Sequence, residues 1–110
     1  MNETLRIPAT DIEPVLREIL ENRGFNQDRA QQCARFFIET TLDGVYSHGL
    51  NRFPSFLDAI ASGHVNPASC PTRIRTGGAF ESWDGNLGPG NLNAWDCMGR
   101  AITHFVLRNN

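Results

Sequence analysis

The sequence predicts an α+β fold in which helices dominate, and three observations carry that expectation. Apolar residues recur at the spacing of a one-faced helix between Ile12 and Leu20, and again between Ala30 and Thr41. Thr72, Ile74 and Thr76 alternate with Arg73 and Arg75 up to Gly77-Gly78, after which Ala79 to Asp84 resumes an extended run, the pattern of a β-hairpin. A further helical spacing joins Trp95, Met98, Ala101 and Ile102. The helical region is expected over about 10–63, the hairpin over about 72–84 and the final helix over about 91–107.

Thr10-Asp11-Ile12-Glu13 has the form of a capping box, and Ile12, Val15, Leu16, Ile19 and Leu20 follow as a buried stripe that Gly24 closes. Pro14 is tolerable only in the first turn, so Asp11 is an equally good cap. Asn26 caps the second helix, with Asp28 in its positive first turn and with Ala30, Cys33, Ala34, Phe37, Ile38 and Thr41 facing the core. That helix runs out near Leu42, before the Asp43-Gly44 turn. Pro54 starts a third helix with an apolar face of Phe56, Leu57, Ile60 and Ala61, and Gly63 stops it. The prolines, asparagine and serine between His64 and Pro71 mark an ordered surface connection. Asp84 to Gly90 is a loop, and a helix beginning at Asn91 or Asn93 buries Trp95, Met98, Ala101 and Ile102.

A chain of 110 residues holds one domain's worth of core, too little for a substrate domain and a cofactor domain together. A net charge of -2 with both signs scattered offers no basic stripe for nucleic acid. The apolar runs are far below a membrane-spanning length, and Met1-Asn2-Glu3-Thr4 is unlike a signal peptide, so a soluble, cytoplasmic protein is expected. All 10 basic residues are arginine, which excludes any chemistry that needs an in-chain lysine. Cys33, Cys70 and Cys97, odd in number and far apart, suit reduced thiols acting as small apolar filler. His64 and His104 stand apart from other metal-ligating types, so no metal site is expected. Glu18, Glu21, Glu39 and Asp58 read as solvated helix faces.

Ser47-His48-Gly49-Leu50-Asn51-Arg52 is the segment that points to chemistry. On a helix, His48 and Arg52 at i, i+4 would project from one face, the imidazole able to move a proton and the guanidinium able to grip a carboxylate. The bland alternatives are a structural histidine, a helix-capping Ser47 and a solvated Arg52. Gly85-Asn86-Leu87-Gly88-Pro89-Gly90 is glycine-rich, but its glycines fall in the wrong order for a dinucleotide loop and Pro89 lacks an amide donor, so a turn suffices. A different class of function, a small helical interaction module, would use Trp83, Trp95 and Phe105 as an exposed apolar patch.

The run Thr40-Thr41-Leu42-Asp43-Gly44-Val45-Tyr46-Ser47-His48-Gly49-Leu50-Asn51-Arg52-Phe53-Pro54 resembles the start of the type 2 malate/L-lactate dehydrogenase family. The likeness continues through Gly63, Asn66-Pro67, Trp83-Asp84-Gly85 and Gly90-Asn91-Leu92 to Arg100-Ala101-Ile102, and Gly44 to Pro54 is most similar to the family's diketo-acid reductases. The resemblance implies a fold other than the ordinary Rossmann fold, NAD(P)H as cofactor of the full-length parent, and reduction of a small 2-keto acid to the 2-hydroxy acid. It implies that His48 is the acid/base that protonates the ketone oxygen, that Arg52 holds the substrate carboxylate, and that Ser47 and Asn51 line the pocket. It implies a homodimer for full-length members. Family members are several-fold longer and bind the dinucleotide through later segments. The expectation is therefore an N-terminal fragment with no cofactor-binding residue of its own, which holds no nucleotide tightly and does not turn over substrate alone. Phe105 to Asn110 follows Arg100-Ala101-Ile102 almost at once, and His104 does not stand where the family's second pocket histidine is expected.

Overall fold

A computed structural model describes residues 6–109, with side chains as far as Thr103; Met1 to Thr4 and the side chains of His104 and Phe105 lie outside the described residues. The element order is α1 (Ala9–Glu21), α2 (Gln27–Leu42), a 3-10 turn (Leu50–Arg52), α3 (Phe53–Ala61), β1 (Thr72–Gly77), β2 (Phe80–Asp84) and α4 (Gly90–Asn109). The expected α+β class holds. The elements fall into two units, Met1–Leu57 and Asp58–Asn110.

In the first unit α1 packs on α2. Leu16 and Leu20 of α1 meet the face expected of α2, where Ala30, Cys33, Ala34, Phe37 and Ile38 are all buried. Each large aliphatic side chain so covered contributes about 1.5–3 kcal/mol. Aromatic rings complete this core: Phe37 lies edge-on to Phe53 at 5.3 Å and tilted to Phe56 at 5.2 Å, and Phe25 lies 6.2 Å from Phe56. The Asn26 cap forms as expected, its side-chain oxygen accepting the Arg29 amide at 2.8 Å. Asn26→Ala should therefore lower stability by about 1 kcal/mol, read as a lower urea midpoint with an unchanged slope.

Several expectations need correction in α1 and α3. Neither Thr10 nor Asp11 caps α1, which starts two residues before Asp11 from an extended Pro8 with no side-chain cap, the Asp11 amide bonding Pro8 O at 2.9 Å. Pro14 consequently lies inside the helix rather than in its first turn; the bond it cannot donate would have gone to Thr10, which is exposed to water. Val15, placed in the stripe by spacing, is 56% exposed. At 3.6 residues per turn it points about 120° away from the line through Leu16 and Leu20 that α2 covers. In α3 the buried residue is Phe53, whereas Phe56, Leu57 and Ile60 are half-buried and Ala61 is exposed, because the short helix meets the Phe37 ring at its first residue.

In the second unit β1 and β2 pair antiparallel, with Gly77 opposite Phe80. The two-residue turn is thus Gly78-Ala79, not Gly77-Gly78; Gly78 at φ 59 takes the left-handed first position of such a turn. The ladder passes from Arg73↔Trp83 to Arg75↔Ser82, so Ile74 is an extra residue. This bulge sends Arg73 and Arg75 to opposite faces, where strict alternation would have kept them together. Arg73 accordingly shares a face with Trp83 and Glu81 and lies 3.8 Å from the Glu81 carboxylate.

The loop before α4 is an ordered knot. The Asn86 amide bonds the Asp84 carboxylate at 2.8 Å, its side chain donates to Cys70 O and Thr72 Oγ1, and Leu87 O accepts the Asn66 amide at 2.7 Å. Helix α4 begins after the fully buried Pro89, whose carbonyl accepts the Asn93 amide at 2.9 Å, so neither Asn91 nor Asn93 is its cap. Its stripe is also not buried: Trp95, Met98 and Ile102 are 61%, 62% and 58% exposed, and Ala101 is exposed. Leu92 is the buried residue of α4 among its described side chains, while Trp95 shares the wall of a depression with Trp83 and Arg73 of the hairpin. Cys33 is core filler, but Cys70 is exposed and Cys97 half-buried, since both stand outside the packed core of their unit.

Candidate active site

The segment that carries the candidate residues leaves α2 through Gly44. Its φ of 86° lets the chain reverse, with Gly44 N bonding Thr41 O and Val45 N bonding Thr40 O, both at 3.0 Å. The same paired bonds close α1 at Gly24 and α3 at Gly63. Beyond Gly44 the chain forms a turn, with His48 N bonding Val45 O at 3.1 Å, and then the 3-10 turn, with Arg52 N bonding Gly49 O at 2.9 Å. Phe53 anchors the far end beneath Phe37.

This local course corrects the picture of one helix face. Residues 45–49 are not helical, because Gly44 reverses the chain and Gly49 is packed against Thr41, so His48 and Arg52 are not related by an α-helical i, i+4 spacing. They are linked another way. Ser47 Oγ lies 2.8 Å from His48 Nδ1, and Arg52 Nε donates to the Ser47 carbonyl at 3.0 Å. Ser47, His48 and Arg52 therefore share one exposed stretch of surface. Asn51 is exposed on the 3-10 turn and is not tied to them by a side-chain hydrogen bond among the described residues.

A serine on Nδ1 suits proton transfer at the other nitrogen, since a hydroxyl can donate to the neutral ring or accept from the charged one. Nε2 is then the nitrogen left for that transfer in both states. The contact is not distinctive by itself, because Ser62 Oγ lies 2.8 Å from His64 Nδ1 in the second unit with the same geometry. What sets His48 apart is the guanidinium bonded to the carbonyl of the residue before it. With Nε occupied by the Ser47 carbonyl, the two terminal nitrogens of Arg52 are left to meet a carboxylate.

Two depressions lie elsewhere. One of about 780 Å³ has walls that include Ile12, Ile38, Leu42, Tyr46 and Leu50; another of about 540 Å³ includes Arg73, Trp83, Trp95 and Arg100. Neither has Ser47, His48 or Arg52 in its lining, and all three residues are exposed. Of the apolar patch expected from Trp83, Trp95 and Phe105, Trp95 is exposed and Trp83 is half-buried with the Arg100 guanidinium 4.6 Å over its ring, while the Phe105 side chain lies outside the described residues. The residues that sequence reasoning missed are Thr41, read only as core, and Gly49. Their signal was a hydroxyl in the last turn of α2 together with a glycine directly after the histidine.

Residues 7–105 match the family model described as malate/L-lactate dehydrogenase. The chain belongs to this family. Among curated proteins, the 2,3-diketo-L-gulonate reductase of Mannheimia succiniciproducens is 36% identical over 98 residues, covering 89% of this chain and 30% of the relative. That of Escherichia coli O1:K1 is 39% identical over the same length and shares. A malate/L-lactate dehydrogenase architecture also appears in solved structures. A dehydrogenase from Sinorhizobium meliloti superposes with a TM-score of 0.83 at 30% identity, over 90% of this chain and 31% of that one. The sulfolactate dehydrogenase of Methanocaldococcus jannaschii gives 0.84 at 26% identity, over 90% and 29%. The chain therefore spans about 30% of the length of the curated relatives it matches.

Proposed function

We propose that this chain contributes the proton-handling and carboxylate-holding wall of an NAD(P)H-dependent reductase of 2-keto acids, with 2,3-diketo-L-gulonate or a close analogue as substrate. The observation that carries the reading is the link from Arg52 through the Ser47 carbonyl to the Ser47–His48 pair. In this reading Arg52 grips the carboxylate end-on, His48 Nε2 delivers a proton to the ketone oxygen, and Ser47 holds the ring. Asn51 lines the same cleft. The shared names of the relatives support the substrate class, and the parent is proposed to work as a cytoplasmic homodimer.

The Gly85–Gly90 loop does not fit the dinucleotide. In the Gly85–Gly90 loop the Gly88 amide is spent on Gly85 O at 2.9 Å, Leu87 O on the Asn66 amide, and Pro89 has no amide hydrogen. A Cβ placed on Gly88 would come within 2.7 Å of Ser69 O, so the loop closes on its own chain rather than opening a cradle. When bound, the nicotinamide would supply the hydride. Its site is assigned to the length of the relatives that this chain does not span, and the 110-residue chain by itself is proposed not to turn over substrate.

A chimera in which residues 7–105 replace the matching stretch of a full-length relative tests this. It should consume NADH in the presence of 2,3-diketo-L-gulonate, followed by loss of absorbance. Arg52→Ala should raise KM about 10–100-fold, the loss of a charge-assisted bidentate contact, with a smaller effect on kcat. A folded chimera that is inactive, or an Arg52→Ala variant with unchanged KM, would sink the proposal.

A further inference from the structure

Thr41 stands in the last turn of α2, half-buried, and its hydroxyl bridges two backbones. It donates to Phe37 O at 3.1 Å and accepts the Leu50 amide at 2.8 Å. Gly49, buried, lies directly against it. A Cβ added to Gly49 would collide with the Thr41 hydroxyl and come within 2.9 Å of the Thr41 amide nitrogen and 3.0 Å of its Cα. Two of those three atoms are backbone and cannot swing aside. The peptide between Gly49 and Leu50 is thus held on the end of α2 from both sides, by an absent side chain and by a hydroxyl.

We propose that Thr41 and Gly49 form a latch that positions His48 and Arg52, Thr41 acting as a positioning residue that touches no substrate. The proposal rests on the reading of His48 and Arg52 as the working groups. Its physical basis is adjacency. His48 precedes Gly49 directly, and Arg52 follows Leu50 by one turn whose first amide is the one Thr41 receives. Residues 42–48 are exposed, so no core packing of their own holds them in place. Without the hydroxyl, a half-buried amide loses its acceptor and the turn is free to shift. Displacement of a working group by about 1 Å lowers turnover on the order of 100-fold.

Two measurements test the latch. In nuclear magnetic resonance spectra of the 110-residue chain, Thr41→Val should move the Arg52 Nε–H signal, which reports the bond to Ser47, and leave Cys33 and Ala34 in the α2 core unmoved. In the chimera, Thr41→Val should lower kcat about 10–100-fold and raise KM several-fold. Thr41→Ser, which keeps the hydroxyl, should stay within about 3-fold of the unsubstituted chimera in both constants, a change below about 0.7 kcal/mol. Gly49→Ala should resemble Thr41→Val. Equal disturbance of the core signals, an unmoved Arg52 Nε–H, or a Thr41→Ser variant as impaired as Thr41→Val would overturn the latch. Full turnover in Thr41→Val alongside an inactive His48→Ala would overturn the latch alone. Full turnover in His48→Ala would overturn the reading of the site and the latch with it.

Discussion

His48→Ala in the chimera is expected to lower kcat by about 10²–10⁴-fold, the usual contribution of a positioned proton donor. Alanine removes the ring and leaves the Ser47 hydroxyl, which is far too weak an acid to take its place at neutral pH. Because His48 is exposed, water can substitute in part, so the loss should fall toward the lower end of that range. His48→Gln separates two roles. Glutamine can donate a hydrogen bond but cannot pass on a proton, so it should be as impaired as alanine. NADH affinity, read from its fluorescence, should be unchanged in both variants. Turnover retained in the glutamine variant would mean that His48 polarises the ketone without protonating it.

Phe37→Ala should cost about 3–5 kcal/mol, the largest stability effect expected in the chain. The ring is 8% exposed and contacts Phe53 and Phe56, so its removal opens a cavity on the α2 face and strips two aromatic pairs at once. A loss of that size is comparable to the whole stability of many small domains. The composition offers a clean readout. Both tryptophans, Trp83 and Trp95, lie in the second unit with α4, so their fluorescence follows that unit, while the part of the helical circular dichroism signal that falls before the emission changes reports α1 and α2. The expected result is early loss of ellipticity under urea with tryptophan emission changing later. A loss below about 1 kcal/mol would mean that the three rings are not a common core.

The sequence carried the elements better than their ends. The α2 stripe was legible from Ala30 to Ile38, with Thr41 at its end only half-buried, because one long amphipathic helix, capped by Asn26 and closed by a glycine, packs on α1. Helix starts were less legible. Pro8 and Pro89 begin α1 and α4 through backbone geometry alone, which leaves no polar side chain to read and shifts the apparent cap to Thr10, Asp11 or the asparagines. The hairpin turn was displaced by one residue because nothing in an alternating run announces that Ile74 is an insertion. Trp95, Met98 and Ile102 illustrate a general limit: spacing identifies an apolar face but not whether anything covers it. At the candidate site, the nearness of Ser47, His48 and Arg52 followed from their separation in sequence, but its cause did not. The spacing suggested a helix face, whereas a reversed turn and a carbonyl from Ser47 bring them together.

The exposure of residues 42–48 beside a buried aromatic cluster has a dynamic consequence. Such a strip can detach by breaking a handful of hydrogen bonds, at a free energy well below that of melting the helices that carry it. The candidate groups thus ride on a breathing margin, and the rigid body behind it returns them to the same place after every excursion.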